Sequence, residues 1–124
     1  MNKSERHYLY KYNVDPGWWS ILDKYIPQIL AIAPDAELLI KEKFGLLRLN
    51  IESKTVNWTA FQEIKHAAEL ESATICEVCG APGRLRINNG WRETLCDRCN
   101  SADEITKNKL IEEAEKQWWE AKED

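Results

Sequence analysis

The four cysteines constrain this 124-residue chain more than anything else in it. They stand as Cys76-Glu77-Val78-Cys79 and Cys96-Asp97-Arg98-Cys99, two Cys-x-x-Cys pairs separated by the sixteen residues 80–95. Two short turns that each present two thiolates meet the needs of one tetrahedral Zn²⁺ ion. Gly80 follows the first pair, where a residue without Cβ takes positive φ and lets the knuckle N–H groups turn toward the sulfurs. The alternatives weigh less. A Cys-x-x-Cys disulfide is usually catalytic, and a thioredoxin-like site uses one pair within a βαβ pattern, not two. An iron–sulfur cluster also takes four thiolates, but paired spacing around a hairpin pattern favours zinc. Four sulfurs close the coordination sphere, so the spacing predicts one structural zinc and no metal-activated water.

The length suits one domain, or a small domain joined to a metal-stapled module. Apolar residues make up 44% of the chain, enough for a packed core. No apolar run approaches the ~18 residues of a membrane span. The opening Met1-Asn2-Lys3-Ser4-Glu5-Arg6 leads into no apolar signal-peptide stretch, so the expectation is a cytoplasmic protein without a membrane partner. Net charge is −4 and unevenly spread. Residues 1–70 balance nine basic against nine acidic side chains, whereas residues 100–124 set four lysines against eight carboxylates. Between them Arg84, Arg86, Arg92 and Arg98 outnumber Glu77, Glu93 and Asp97. The chain therefore lacks the footprint of a non-specific nucleic-acid binder and leaves room only for a local basic patch.

Element by element, the pattern is α+β. Tyr8, Tyr10 and Tyr12 alternate, as in a short strand or extended arm, with His7 a surface residue beside them. Asp15-Pro16 opens a helix as cap and first residue, and Trp18, Ile21, Leu22, Tyr25 and Ile29 form its apolar stripe. Pro27 should kink that helix or end it near Tyr25, with a further turn to Ile32. Leu47, Leu49 and Ile51 alternate with polar residues, and Gly45 sits where a hairpin over 37–52 would turn. A helix over 35–44 competes there, since Ala, Glu, Leu and Lys favour helix. Asn57 caps a helix over about 58–73 with Trp58, Phe61, Ile64 or Lys65, and Ala68 on one face, His66 taking no role. Asn88-Asn89-Gly90 joins two strands between the cysteine pairs, giving knuckle, hairpin, knuckle. Ser101 and Glu104 have capping-box spacing for a last helix over about 102–121, with Leu110, Ile111, Ala114 and Trp118 on its apolar side. Residues 1–73 thus form a helix and hairpin core, and residues 74–124 a zinc module with a C-terminal helix, packed as one unit.

Six tryptophans include the adjacent pairs Trp18-Trp19 and Trp118-Trp119. Neighbours on a helix point about 100° apart, so at least one ring of each pair is expected to be partly exposed or buried in an interface. Arg84, Arg86 and Arg92 are expected to share one face of the zinc hairpin.

Lys41-Glu42-Lys43-Phe44-Gly45-Leu46-Leu47-Arg48, followed by Cys76-Glu77-Val78-Cys79-Gly80-Ala81-Pro82-Gly83 and Trp91 to Cys96, resembles small phage and prophage proteins. These carry a Lys-Glu-Lys-Phe-Gly segment and a zinc module. The resemblance spans about residues 15–100 and implies a context, the cytoplasm of a bacterium or phage-infected cell, but no activity. The module alone is similar to a zinc ribbon or to the treble clef of HNH nucleases. Nuclease chemistry there needs histidines, and residues 67–124 hold none. Two functions follow. One is a protein-binding module, an accessory modulator or inhibitor of a host protein, with the tryptophan pairs as candidate contacts and no catalytic residues. The other is a nucleic-acid-binding regulator using the hairpin arginines. Net charge favours the first.

Overall fold

The computed structural model describes residues 13–121. A 3₁₀ turn, Pro16–Trp18, leads into α1 (Trp19–Ile32). Strands β1 (Glu37–Lys43) and β2 (Leu46–Glu52) follow, then α2 (Trp58–Ser72). Strands β3 (Arg84–Asn88) and β4 (Trp91–Leu95) precede the short α3 (Asp97–Ser101) and the long α4 (Glu104–Ala121). The fold is α+β with two separate antiparallel hairpins. Residues 1–12, with His7 and the alternating tyrosines, lie outside the described residues.

Both hairpins turn through two residues of positive φ, Phe44 (57°) with Gly45 (79°) and Asn89 (53°) with Gly90 (85°). This two-residue loop matches the twist of the strands it joins. The 37–52 hairpin therefore prevails over a helix at 35–44. Its pairing sets Leu38 against Ile51 and Ile40 against Leu49, placing the buried residues on one face.

Ile21, Leu22, Tyr25, Ile26 and Ile29 of α1 pack in one core with that face and with Phe61 and Ala68 of α2. Ile64 lies half-buried at its margin. Asn57 caps α2 as its sequence predicts, Oδ1 accepting from Ala60 N at 3.1 Å. Side chains of α2 also complete the outer edge of β2. Leu47 N donates to Ser72 Oγ at 3.0 Å, Leu49 N donates to Glu69 Oε2 at 3.1 Å, and Lys65 Nζ donates to Leu49 O at 2.6 Å.

Three local expectations are corrected. First, of the kink or the end expected at Pro27, the end near Tyr25 is excluded, since α1 runs unbroken to Ile32. The missing N–H and the ring cost a helix interior about 3 kcal/mol, but Leu22, Tyr25, Ile26 and Ile29 on either side are buried and hold the segment helical. Second, Asp15 acts through its backbone: its carbonyl accepts from Trp18 N at 3.3 Å in the 3₁₀ turn, and its side chain makes no cap. Third, Ser101 closes α3, its Oγ donating to Arg98 O, and Asp103 caps α4 by accepting from Thr106 N at 2.7 Å.

Asp35 fastens the open end of the first hairpin. Ser53 Oγ, Lys54 N and Thr55 Oγ1 all donate to its carboxylate, at 2.6, 2.7 and 2.7 Å. These bonds, that from Ser53 foremost, lower its pKa from 3.8 to about 2. A carboxylate depressed on folding adds stability above its unfolded pKa and loses it as pH falls through the folded value. Stability should therefore decline between about pH 4 and 2, and Asp35→Asn should flatten that part of an acid titration followed by circular dichroism. An unchanged acid slope in the variant would refute this role.

Candidate metal centre

The first cysteine pair sits in a loop that closes on itself after α2. Cys76 N donates to Ala81 O at 2.7 Å, Gly80 N to Cys76 O at 2.9 Å, and Gly83 N to Thr74 O at 2.9 Å. Gly80 takes φ 83°, as its place after the second cysteine predicts. The second pair opens a helix. Cys96 is the N-cap of α3, its Sγ accepting from Cys99 N at 3.4 Å, and Cys99 lies inside the helix.

Strands β3 and β4 bring the two pairs together, and Glu77 and Thr94 lock the join. Glu77 N donates to Thr94 O at 2.9 Å, and Thr94 N donates to Glu77 Oε2 at 3.2 Å. The four Sγ atoms then lie within 4.8 Å of one another and could hold a metal ion. Cys79 Sγ and Cys96 Sγ are 3.7 Å apart, far beyond the ~2.05 Å of a disulfide. All four cysteines are free.

Cys76 and Cys99 are buried with Val78 and Leu95, and Leu110 and Ile111 of α4 pack against them. Burial pushes both thiols above the usual cysteine range. Burial acts the same way on Cys96, but the Cys99 N–H and the neighbouring thiols outweigh it and bring Cys96 down to about 7. A hydrogen bond with Cys79 raises the Arg98 guanidinium, placing a cation beside the sulfurs. Without a cation at its centre, such a cluster keeps protons on its buried sulfurs; a metal replaces those protons.

The knuckle is bolted to the core through backbone. Gly17 N donates to Glu77 O at 3.0 Å, and a Cβ on Gly17 would stand 2.0 Å from Cys76 O. Only glycine permits that approach. Trp18 Nε1 donates to Ile75 O at 2.9 Å just before the knuckle. Midway along α1, Tyr25 Oη and Lys24 Nζ both bond Glu71 Oε1.

The other sequence-predicted site residues do not gather. Trp18 and Trp19 are buried in the core. Trp118 is buried as well, meeting Trp19 edge-to-face at 5.2 Å and donating to Asp23 Oδ2 at 2.9 Å. Trp119 is half-buried, with its ring 4.9 Å from that of Trp118. The partly exposed ring expected of each pair is therefore absent from Trp18-Trp19, both buried, and present in Trp119, while Trp19 and Trp118 form an internal seam joining α4 to α1. On the β3–β4 hairpin, Arg84 and Arg86 face with Trp91 and Glu93, whereas Arg92 pairs with Ile87 and lies on the opposite face with Leu85. Arg86 is also engaged, with Asp97 at 2.6 Å.

What the spacing did not reveal lies beside the centre. Phe44 and Trp91 are 67% and 75% exposed and border a cleft of about 470 Å³ between the two hairpin turns. Glu77, only 7% exposed, also lines this cleft. Its burial, with Glu42, Glu93 and Asp15 nearby and the Thr94 N–H opposing, pushes its carboxyl up to about 8. The available signal was each ring's place at a two-residue turn, where a two-stranded hairpin has little core to cover it.

Among the described residues no helix is long and apolar enough to cross a membrane. No protein-family model, curated protein or solved structure matches the chain.

Proposed function

We propose that the four thiolates hold one structural Zn²⁺ and that the protein is a zinc-stabilised protein-binding module. A tetrahedral ion with Zn–S bonds of about 2.3 Å has sulfur–sulfur edges of about 3.8 Å, and the 3.7 Å between Cys79 and Cys96 suits such an edge. With four sulfurs the ion has no open position, so it serves folding rather than reaction, and no enzymatic role is assigned. Of the two geometries the sequence leaves open, a second pair at a helix start favours the treble-clef-like one.

The observation that carries the binding reading is the exposure of Phe44 and Trp91 beside one cleft while Trp18, Trp19 and Trp118 lie in the interior. Large exposed aromatics beside a cleft are the usual anchors of protein contacts. The nucleic-acid reading loses its cluster: Arg92 faces away from Arg84 and Arg86, and Arg86 and Arg98 have partners in the module. The likeness to phage and prophage proteins makes a host protein in the bacterial cytoplasm the natural target, and modulation or inhibition the natural effect.

The test is affinity capture from a bacterial lysate with and without nuclease treatment. One protein should be retained in both, and Trp91→Ala should cost about 2 kcal/mol or more of its affinity. Retention that vanishes with nuclease, or micromolar salt-sensitive nucleic-acid binding abolished by Arg84→Ala, would overturn the reading.

A further inference from the structure

The cleft between the two hairpin turns is lined by aromatic and charged residues. Two exposed rings, Phe44 and Trp91, line it together with three acidic residues, Glu42, Glu77 and Glu93. Lys43, Gly90 and Arg92 complete the lining.

Phe44 is costly where it is. It takes φ 57°, a left-handed conformation suited to asparagine or glycine, and leaves its ring in solvent. Neither backbone nor burial favours phenylalanine there, and an outlier of that kind points to use outside the fold.

The three carboxylates are not equivalent. Glu42 Oε2 accepts from Gly45 N at 2.8 Å, and Glu93 Oε2 lies 3.6 Å from Lys107 Nζ. Glu77 Oε2 accepts from Thr94 N, but Glu77 Oε1 has no hydrogen-bond or ion-pair partner among the described residues, although the side chain is more than nine-tenths buried. Protonated or not, a buried carboxyl oxygen without a partner is an energetic deficit, and a cationic donor from outside would relieve it by holding the group as the carboxylate.

We infer that this cleft receives a single cationic side chain, arginine or lysine, from a partner protein, held between the Phe44 and Trp91 rings and directed at Glu77 Oε1. Aromatic faces attract cations, arginine most often, and a charge-assisted bond to a carboxylate is among the stronger polar contacts. Lys43 and Arg92 narrow the choice further. They would repel a run of basic residues but would meet acidic ones, so the fitting segment is one cation flanked by Asp or Glu. This inference rests on the protein-binding reading for its partner, but the chemistry of the cleft is testable without one.

The test titrates the zinc-loaded protein with N-acetyl-arginine methylamide, followed by NMR. The neutral isostere N-acetyl-citrulline methylamide is the control. The arginine probe should shift the Trp91 indole N–H and the Phe44 and Glu77 amides saturably. Citrulline should bind about tenfold more weakly or less, because it lacks the charge-assisted bond. Trp91→Ala and Phe44→Asn should each weaken arginine about two- to fivefold; asparagine tolerates the left-handed turn, so that variant keeps the hairpin. Glu77→Gln should weaken it about tenfold or more. Equal response to both probes, shifts that map elsewhere, or indifference to the Trp91 and Phe44 changes would overturn the inference, whether or not the Glu77 variant folds. A titration that behaves as expected while the lysate yields no protein would overturn the partner reading alone. Captured protein whose affinity ignores both ring substitutions would overturn the inference alone.

Discussion

Cys79→Ser or Cys96→Ser should release the metal and unfold the protein. Structural zinc contributes folding free energy on the order of 10 kcal/mol, comparable to the whole stability of a domain this size, about 5–15 kcal/mol. The loss should not stop at residues 76–99. Gly17 N and Trp18 Nε1 donate to the carbonyls of Glu77 and Ile75, so the start of α1 is fixed only while the knuckle is formed. Leu110 and Ile111 lose their cover at the same moment. Elemental analysis should give about one zinc per wild-type chain, and chelation should abolish near-ultraviolet tryptophan dichroism. Protein without zinc but with two disulfides by mass would end this reading, and tryptophan dichroism indifferent to chelation would show that the core stands alone.

Trp18→Ala should cost about 3–5 kcal/mol, the range for deleting a large buried aromatic. Trp18 is 0% exposed and links the core to the segment entering the knuckle. Phe61→Ala should fall in the same range, since Phe61 is fully buried between α2 and the hairpin. Trp91→Ala should change stability by no more than about 0.5 kcal/mol, as an exposed surface substitution. Urea unfolding of the three variants decides it. A Trp18→Ala loss below about 1 kcal/mol would mean that its burial does not support the fold.

The clustering of the four cysteines was legible because its chemistry is local: two sulfurs per turn and a hairpin between. Both hairpins were legible for the same reason, their turn residues lying beside alternating strands. What failed was long-range. Successive tryptophans about 100° apart cannot share one neighbour, but in this chain two elements cover them. Trp18 meets the approach to the knuckle and Trp19 meets Trp118 from a helix some hundred residues later. Arg92 was misplaced because shared charge suggested a shared face, whereas strand pairing decides which side chains point together. Glu77 was read as one acid among many. Its position inside a Cys-x-x-Cys turn buries it, and the paired backbone of Thr94 gives the burial its geometry. Ser101 lost the capping role because α3, started by Cys96, had already taken it up.

The side chains that α2 lends to β2 carry a consequence for self-association. Leu47 and Leu49 give their outward N–H groups to Ser72 and Glu69, and Leu49 O accepts from Lys65, so α2 covers this margin from Leu47 to Leu49 against an incoming strand. The residues opposite, Ile40 and Glu42, direct their peptide groups to the far margin of β1. Fibril growth by adding folded units requires two open margins, one to accept and one to offer the next site. With one margin sealed, stacking through this sheet stops at a pair.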